Sequence, residues 1–276
     1  MTVLRFARTK AVGKSGLTNI GLASMGDVAR MAQQTVICIK WGTRYGADYV
    51  NRLASMIWRN TARPTRVICF TDDSKGVDPC VVTAPLPAFQ NIPDRVSRLG
   101  WRKLSLYQQP LLDLSGDVLF VDLDVVITGS IDPFFDFEPG RYCVAKNWSE
   151  PELRVGNTTV YRFPVGQMTY IFENFNRDPE QYLAKYRNSQ KYISGEAHDM
   201  VFWPGDWCVS FKHSLLPGWP MRFFITPKLP AGVRLVAFTG KPDPDEARDG
   251  KWPVTAAWKK LYKHVRPTPW IAEHWR

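Results

Sequence analysis

An apolar run that leads directly into two aspartates constrains this chain more than any other stretch. Val118–Val121 is followed by Asp122 and Asp124, one residue apart, and then by further apolar residues. We predict a strand of the protein interior, where isolated charges are costly. Because residues i and i+2 of a strand point to the same side, both carboxylates should project together. Such a pair requires that one acid stays protonated, that basic side chains pair with both, or that a divalent cation lies between them.

Strands and helices are predicted to alternate before this run. Apolar strands are predicted over residues 35–42 and 65–73, and apolar residues at helical spacing predict helices over 45–60 and 95–114. This order predicts an α/β fold with a mostly parallel central sheet and helices on both faces. Ligands of such sheets bind beyond the carboxyl ends of the strands, which is where the two aspartates fall.

The second half of the chain is more irregular, and proline and tryptophan are frequent in it. Its strands are predicted at 141–147, 157–163, 207–212 and 233–239, and its helices at 165–175, 179–186 and 255–264. No internal repeat or linker is evident in the sequence. We therefore expect a single domain over residues 35–276, preceded by a flexible basic tail over residues 1–34.

Charge and cysteine content limit the partners and the compartment. The net charge of +10 favours anionic ligands, although a solvated basic surface is equally compatible with it. The five cysteines are widely spaced and include no CxxC pair, which argues against a zinc ribbon or a disulfide scaffold and suits a reducing compartment. No apolar run reaches the ~20 residues of a membrane span, and residues 1–34 lack an apolar signal segment. We expect a cytoplasmic protein.

Two chemistries are compatible with the pair Asp122 and Asp124. Mg²⁺ and Mn²⁺ bind one or two carboxylates together with substrate phosphates, so the pair is a candidate site for a metal–diphosphate complex. Alternatively, Asp122 is the nucleophile of a dehalogenase-type phosphohydrolase, in which Asp-x-Asp also follows an apolar strand. Against this second interpretation, the pair lies in mid-chain and no Gly-Asp-x-x-x-Asp follows it. A turn cap or ion pairs with arginines would be a purely structural role.

Five short segments of the chain carry a family resemblance. In chain order they read CIKWGTRY, GWRKLSLY, VLFVDLDVVITGSID, GNTTVYRF and FTGKPDPDE, and they span roughly residues 35–246. Together they resemble glycosyltransferases of the GT-A fold, most of all the glycogenin and lipopolysaccharide-galactosyltransferase group and its uncharacterised bacterial branch. The resemblance implies a Rossmann-like sheet, with a nucleotide-sugar half over residues 35–135 and an irregular acceptor half over residues 136–276. It also implies metal-dependent sugar transfer from a nucleotide-diphosphate donor, foremost a UDP-sugar, with retention of configuration.

The resemblance assigns donor-site roles to several residues. It implies that Asp122 and Asp124 bind Mn²⁺ (or Mg²⁺), which bridges the donor diphosphate, and that Tyr45 stacks on the base. Lys103 matches a lysine near the sugar and phosphates, with a catalytic role, and Asn157 matches an asparagine near the donor sugar. Helix packing for Tyr45, a helix-surface position for Lys103 and a turn for Asn157 are the structural alternatives.

The late part of the implied site departs from the family pattern. Relatives have a metal-binding histidine before the residues that match Gly240 and Lys241, but this chain has Thr239, a poorer ligand. Lys241 still suits a phosphate contact. Asp199 matches the acid of a sugar-facing Asp-Gln pair whose glutamine is absent, and it either contacts sugar hydroxyls or begins a helix. Water or another histidine would complete the metal shell, and the candidate histidines are His198 and His213. The lost histidine also leaves open a degenerate relative that binds nucleotide sugars without catalysis.

The C-terminal region bears on the acceptor. Residues 255–264 predict a basic amphipathic helix, with Trp258, Leu261 and Tyr262 on one stripe and lysines on the other faces. Such a helix would either lie on an anionic membrane surface, near lipid-linked glycans, or dock on the core of the protein. The sequence does not specify whether the acceptor is a glycan, a lipid-linked glycan or a protein. We expect no nucleic-acid partner.

Overall fold

The computed structural model describes residues 33–97 and 99–276 of the chain, and these form one compact unit. Of the tail predicted over residues 1–34, residues 1–32 lie outside the described part. For Gln34 the prediction of a flexible tail is wrong, because this residue is buried at the start of the first strand. Among the helices described, none combines the length and the apolar character that crossing a membrane requires.

Ten strands form two sheets in the described part of the chain. They are β1 (Gln34–Lys40), β2 (Thr65–Thr71), β3 (Val82–Pro85), β4 (Asp117–Val121), β5 (Val125–Ile127), β6 (Tyr142–Lys146), β7 (Gly156–Pro164), β8 (Met200–Phe202), β9 (Cys208–Ser210) and β10 (Leu235–Ala237). The central sheet has the order β3-β2-β1-β4-β7-β6-β8, and only β7 runs antiparallel to its neighbours. A smaller sheet has the order β5-β10-β9. The predicted α/β fold with a mostly parallel central sheet is confirmed.

Mostly short helices cover and connect these strands. The α-helices are α1 (Ala47–Arg59), α2 (Asp94–Ser97), α3 (Pro133–Asp136), α4 (Thr169–Arg177), α5 (Pro179–Lys185), α6 (Ser189–Glu196), α7 (Pro244–Arg248) and α8 (Trp270–His274). Three 3-10 helices (Gly100–Tyr107, Met221–Phe223 and Ala257–Leu261) and one π-helix (Phe211–Leu215) complete the helical segments of the described residues. In α1, the sequence pattern places Tyr49, Leu53 and Ile57 on one apolar stripe; Leu53 and Ile57 are fully buried, whereas Tyr49 is half-buried and the neighbouring Val50 is fully buried.

The central sheet has an apolar core on each face. Successive residues of β1 point to opposite faces, so that Cys38 joins the core that includes α1, whereas Ile37 joins the core that includes α4. Strands covered on both faces read as continuous apolar runs. Lys40 and Asp122, the first charged residues after two such runs, therefore lie at the carboxyl edge of the sheet.

The apolar run around the two aspartates is not one strand. β4 ends at Val121, and Val125 begins β5, which belongs to the smaller sheet and pairs antiparallel with β10. The Asp124 carbonyl accepts a hydrogen bond from the Phe238 N–H at 3.1 Å, at the end of β10. The prediction of a single strand was wrong, because apolar content does not reveal which sheet a segment joins. The break between the two sheets is the place where both carboxylates lie.

Two predicted helices differ from the prediction. The pattern over residues 95–114 forms only α2 and the first 3-10 helix. Within residues 255–264, only Ala257–Leu261 is helical, as a 3-10 helix. Amphipathic spacing gives a stable helix only when the apolar stripe is packed against something, and here Trp258 and Leu261 are 62% and 74% exposed. The predicted C-terminal amphipathic helix is therefore not formed.

Candidate functional site

A cleft of about 670 Å³ lies at the carboxyl edge of the central sheet. Its walls come from residues 39–45 at and after the end of β1, from Asp72 after β2, from Lys103 of the first 3-10 helix, and from residues 122–124. β1, β2 and β4 are parallel neighbours, so their carboxyl ends meet at one edge. The fold thereby brings together charged side chains that are far apart in the sequence.

Asp122 is held on both its backbone and its side chain. Its N–H donates to the Thr159 carbonyl of β7 at 2.8 Å, and its carboxylate accepts a hydrogen bond from Lys103 Nζ at 2.6 Å. Lys103 Nζ also donates to the Thr158 carbonyl at 3.1 Å and is itself buried. Burial raises the pKa of Asp122, while the Lys103 ammonium opposes that rise. The ion pair is therefore part of the cleft wall and supplies one positive charge beside the carboxylate pair.

Asp124 is the more perturbed of the two acids. Its carboxylate accepts a hydrogen bond from the Tyr45 hydroxyl at 2.9 Å. Burial, followed by the negative charge of Asp122, raises the pKa of Asp124 to about 7. Two desolvated carboxylates with a single adjacent lysine are short of positive charge, and a bound cation would relieve their repulsion.

Tyr45 lines the cleft, but its hydroxyl is engaged by protein carboxylates. Besides Asp124, it lies 3.4 Å from Oδ1 of Asp243, and its ring packs on Tyr49 with centroids 4.7 Å apart. The Arg44 guanidinium lies 4.9 Å from the Tyr45 ring centroid. The ring is thus fixed in position at the cleft wall, and its predicted stacking on a base stays a prediction.

Lys241 lies behind this wall. Its ammonium donates to Asp243 at 2.7 Å and to Glu246 at 2.5 Å, while the preceding Gly240 is exposed. Neither Gly240 nor Lys241 lines the cleft. Asp243, buried at the start of α7, joins Lys241 to the Tyr45 hydroxyl. Asp243 is not among the site residues predicted from the sequence, although the Asp243–Glu246 capping box before α7 is a recognisable signal.

Asn157 lies on the correct edge of the sheet but not in the cleft. It is buried near the start of β7, which runs antiparallel to β4 and therefore begins where β4 ends. Its side-chain oxygen accepts a hydrogen bond from the Thr159 N–H at 3.0 Å. The adjacent Thr158 is the residue whose carbonyl binds Lys103. Asn157 therefore supports the strand end that anchors Lys103 and Asp122.

The structure does not bring Asp199 to this site. Asp199 directly precedes β8 and forms an ion pair with Arg141, at 2.5 Å, directly before β6. β6 and β8 run in the same direction as β4, so their beginnings lie at the opposite edge of the sheet from Asp122. The expectation that Asp199 contacts the donor sugar is not met. A match of residue type to a family motif does not determine at which edge of the sheet the residue lies.

The histidine candidates for a third metal ligand also lie elsewhere. The ring of His198 stacks on Tyr170 with centroids 4.3 Å apart, next to Asp199, and His213 lines a separate cavity. Within residues 33–97 and 99–276, no group of three His, Cys, Asp or Glu side chains is arranged to hold a metal ion. A metal ion at the cleft would therefore have at most two ligands from described His, Cys, Asp or Glu side chains.

The two aspartates nevertheless fit a hard divalent cation. Each uses only Oδ2 in the bonds to Lys103 and Tyr45, and no described donor group binds either Oδ1. Thr239 follows Phe238, and its buried Oγ1 has no hydrogen-bond partner among the described residues. Mg²⁺ and Mn²⁺ accept such a set when substrate phosphates and water supply the other ligands. The donor set suits an ion that binds together with a diphosphate.

Two further basic groups at the cleft were not singled out from the sequence. Lys40, at the end of β1, is buried and donates to the Asp73 carbonyl at 2.9 Å. Arg44 is half-exposed and lies 3.7 Å from Asp243. With Lys103 they place three positive charges around the cleft. Their signal in the sequence was their position directly after an apolar strand.

Comparison with known proteins identifies the fold. No protein-family model and no curated protein matches the chain. A crystal structure of the galactosyltransferase LgtC in complex with donor and acceptor sugar analogs does match, with a TM-score of 0.55 over 76% of this chain and 89% of that chain. The fold is that of the GT-A glycosyltransferases. The sequence identity to LgtC is 12%, so this likeness shows the GT-A fold alone.

Two other solved structures share the GT-A fold with this chain. The glycosyltransferase GlyE of Streptococcus pneumoniae TIGR4 matches with a TM-score of 0.52 and 11% identity, over 76% of this chain and 56% of that one. The apo structure of the bifunctional WbbM matches with a TM-score of 0.54 and 12% identity, over 88% of this chain and 51% of that one. The chain thus spans about half the length of these two proteins. The resemblance to GT-A glycosyltransferases inferred from the sequence is confirmed at the level of the fold.

Proposed function

We propose that this chain transfers a sugar from a nucleotide-diphosphate donor, with a UDP-sugar as the first candidate, to a glycan, lipid-linked or protein acceptor. One observation carries the proposal. A 670 Å³ cleft at the carboxyl edge of a GT-A sheet holds two adjacent carboxylates and three basic side chains. That combination suits a polyanionic ligand bound together with a cation. The five cysteines, all free in the structure, are consistent with a cytoplasmic protein.

In this proposal Asp122 and Asp124, whose Oδ2 atoms are engaged by Lys103 and Tyr45, are the residues that would hold Mn²⁺ or Mg²⁺. When bound, the ion would neutralise the diphosphate oxygens and so stabilise the leaving group. Tyr45 keeps the Asp124 carboxylate in position, and the lysine at 103 does the same for Asp122. Both acids would then face the cleft without rearrangement, which lowers the cost of binding a charged ligand.

Three basic residues complete the proposed donor site. Lys103 is fixed by two hydrogen bonds beside Asp122, so its charge is available to the departing diphosphate without a change of conformation. Lys40 and Arg44 supply charge at the β1 side of the cleft. Lys241 would reach a phosphate only by exchanging its bonds to Asp243 and Glu246. Retention of configuration and the contact of Asn157 with the sugar remain expectations from the family resemblance.

A second candidate function has a specific observation in its favour. Thr239 stands where relatives have a metal-binding histidine, and no group of three metal-ligating side chains is present among the described residues. A protein that binds nucleotide sugars without transferring them is compatible with that arrangement. The phosphohydrolase alternative gains no such support, because no Gly-Asp-x-x-x-Asp follows the carboxylate pair and the fold is that of the GT-A glycosyltransferases.

A thermal-shift assay with UDP-sugars, with and without Mn²⁺, tests the proposal. A donor that binds the folded chain raises its melting temperature by mass action. We expect this rise only with Mn²⁺ present, its loss in Asp122→Asn, and its retention in the matched control Asp199→Asn at the opposite edge. Binding without Mn²⁺-dependent hydrolysis or transfer would favour the binding protein. If no nucleotide sugar stabilises the chain but phosphomonoesters are hydrolysed through Asp122, the phosphohydrolase is correct.

A further inference from the structure

Exposed apolar side chains are concentrated on one part of the surface. Eleven large apolar side chains are exposed in the described residues, and seven of them belong to two segments near the C-terminus. We call these seven the aromatic patch: Trp219, Met221, Phe224, Ile225, Trp258, Leu261 and Tyr262. Phe224 and Leu261 are 72% and 74% exposed, so little of their apolar surface is used by the core. A concentration of this kind marks an interaction surface.

The two segments form one continuous surface. The Trp219 indole N–H donates to the Leu261 carbonyl at 3.0 Å, and an Arg222 N–H donates to the Tyr262 carbonyl at 3.0 Å. The rings of Phe223 and His264 stack with centroids 4.5 Å apart and 6° between their planes. These contacts hold the aromatic patch in a defined arrangement without the predicted amphipathic helix.

The two segments of the aromatic patch and the residues next to them carry a set of basic side chains, which we call the basic rim. Residues 211–228 and 251–266 contain eight lysines and arginines and no acidic residue, whereas the whole chain has 36 basic against 26 acidic residues. The rim consists of Lys212, Arg222, Lys228, Lys251, Lys259, Lys260, Lys263 and Arg266. Lys263 lies close enough to lower the pKa of Lys212, in addition to the larger effect of burial. Lys251 lies 3.2 Å from Asp249, and the other seven basic residues give these two stretches of the chain a marked excess of positive charge.

We propose that the aromatic patch and its basic rim bind the surface of an anionic lipid bilayer. Trp and Tyr are favoured at the boundary between lipid headgroups and hydrocarbon, and a polybasic surface is attracted to anionic headgroups. A second copy of the chain fits less well, because a symmetric dimer through this surface would bring two basic rims together. The proposed contact is peripheral, since it uses side chains at the protein surface.

The segment that precedes the aromatic patch in the chain lies near the carboxyl edge of the central sheet. The π-helix Phe211–Leu215 directly precedes the first segment, and its residues His213 and Ser214 line a second cavity of about 230 Å³. The same cavity is lined by Lys146 at the end of β6 and by Trp203 directly after β8. The segment that precedes the patch in the chain therefore lies at the carboxyl ends of β6 and β8, on the same edge of the sheet as the cleft. The membrane proposal does not rest on the transfer reaction; if both hold, the lipid-linked class is the first acceptor to test.

Co-sedimentation of the full chain with lipid vesicles tests the proposal. We expect binding to phosphatidylcholine vesicles that contain about a third phosphatidylglycerol, weaker binding at high salt, and none to phosphatidylcholine alone. Phe224→Ser/Leu261→Ser removes two apolar anchors and should reduce binding about tenfold or more. Lys228→Glu/Lys260→Glu should reduce it as well.

Matched controls separate the surface from general effects on charge or folding. Leu153→Ser removes an exposed leucine elsewhere, and Arg177→Glu/Arg187→Glu reverses two charges at exposed positions outside the patch. Both should bind vesicles as the unaltered chain does. The proposal is overturned if the unaltered chain ignores anionic vesicles, if the patch variants bind equally well, or if light scattering shows a dimer that the patch variants dissolve. Vesicle binding needs no donor, so its outcome is independent of the UDP-sugar assay.

Discussion

Among single residues, Lys103 matters most for the charge of the cleft, because its ammonium group pairs with the Asp122 carboxylate. It is the one basic side chain of the described cleft residues that is hydrogen-bonded to either aspartate, and it is almost fully buried. Buried ion pairs add little to stability as a whole, but removal of one partner leaves the other charge uncompensated. The consequences of changing Lys103 should therefore appear in folding as well as in ligand binding.

Lys103→Met should lower the free energy of unfolding by about 2 kcal/mol, because Asp122, whose side chain is only 20% exposed, then lacks its counter-charge. Urea denaturation at pH 7 measures this loss. The double variant Lys103→Met/Asp122→Asn should recover part of it, since the uncompensated carboxylate is gone. An equal loss in the single and the double variant would show that the ion pair has no such role.

Glu196 gives a pH-dependent prediction away from the cleft. Hydrogen bonds from Tyr186 and then Lys185 hold the pKa of this carboxyl below its ordinary value. A lowered pKa in the folded state stabilises the protein above the unfolded pKa of about 4.3, and the effect is lost as pH falls through the folded pKa. Glu196→Gln should cost about 1 kcal/mol at pH 7 and progressively less below about pH 4. Urea denaturation across this range checks it, and a constant difference would contradict it.

Short elements at the edge of the sheet, rather than long ones, position the site. The break between β4 and β5 presents the aspartates, and β10 holds Asp124 through the Phe238 N–H. α7 places Asp243 against Tyr45, and its capping box fixes where the helix begins. Elements of three to five residues have little stability of their own. Their ends therefore depend on individual turn residues.

Gly250, just after α7, is such a turn residue. Its φ is +71°, and an added Cβ would lie 2.7 Å from the Pro267 ring. Gly250→Ala should therefore lower the free energy of unfolding by about 3 kcal/mol, through backbone strain and steric overlap together. Gly116 has a φ of +68° with open space around it, so Gly116→Ala should cost only about 1 kcal/mol. Urea denaturation compares the two, and equal losses would remove the steric part of the argument.

At the scale of the whole molecule, the cores are independent of any metal. Both apolar clusters pack against the faces of the central sheet, whereas the proposed metal ligands lie at its edge. Folding and metal binding should therefore be separable. This differs from small domains in which the metal supplies the folding free energy.

Removal of divalent metal with EDTA should leave the melting temperature of the ligand-free chain unchanged. The same treatment should abolish the rise in melting temperature that a UDP-sugar produces, and added Mn²⁺ should restore it. Differential scanning fluorimetry measures both effects. A large drop in melting temperature in EDTA alone would mean that the metal is structural and lies elsewhere in the protein.

Local patterns in the sequence were sufficient for the elements with a clear period. Leu53 and Ile57 of α1 are buried and the apolar runs of β1 and β2 form strands as predicted, because side-chain periodicity is set by backbone geometry within a few residues. The third run forms its strand only as far as Val121. The same reasoning located Asp122, since a charge in an apolar run belongs at its end. The family resemblance then added Lys103, which does contact Asp122.

Only the tertiary structure decided which of these residues meet. It separates Asp199 from the cleft by the width of the sheet, and it brings Asp243 to Tyr45 across 198 positions of the chain. It also leaves the stripe of residues 255–264 exposed, as part of a surface with residues 217–225. Strand direction, sheet membership and the burial of a stripe depend on partners distant in the sequence. By itself, then, the sequence determined the elements with a clear apolar period and the chemistry of the carboxylate pair, and long-range pairing determined the rest of the site.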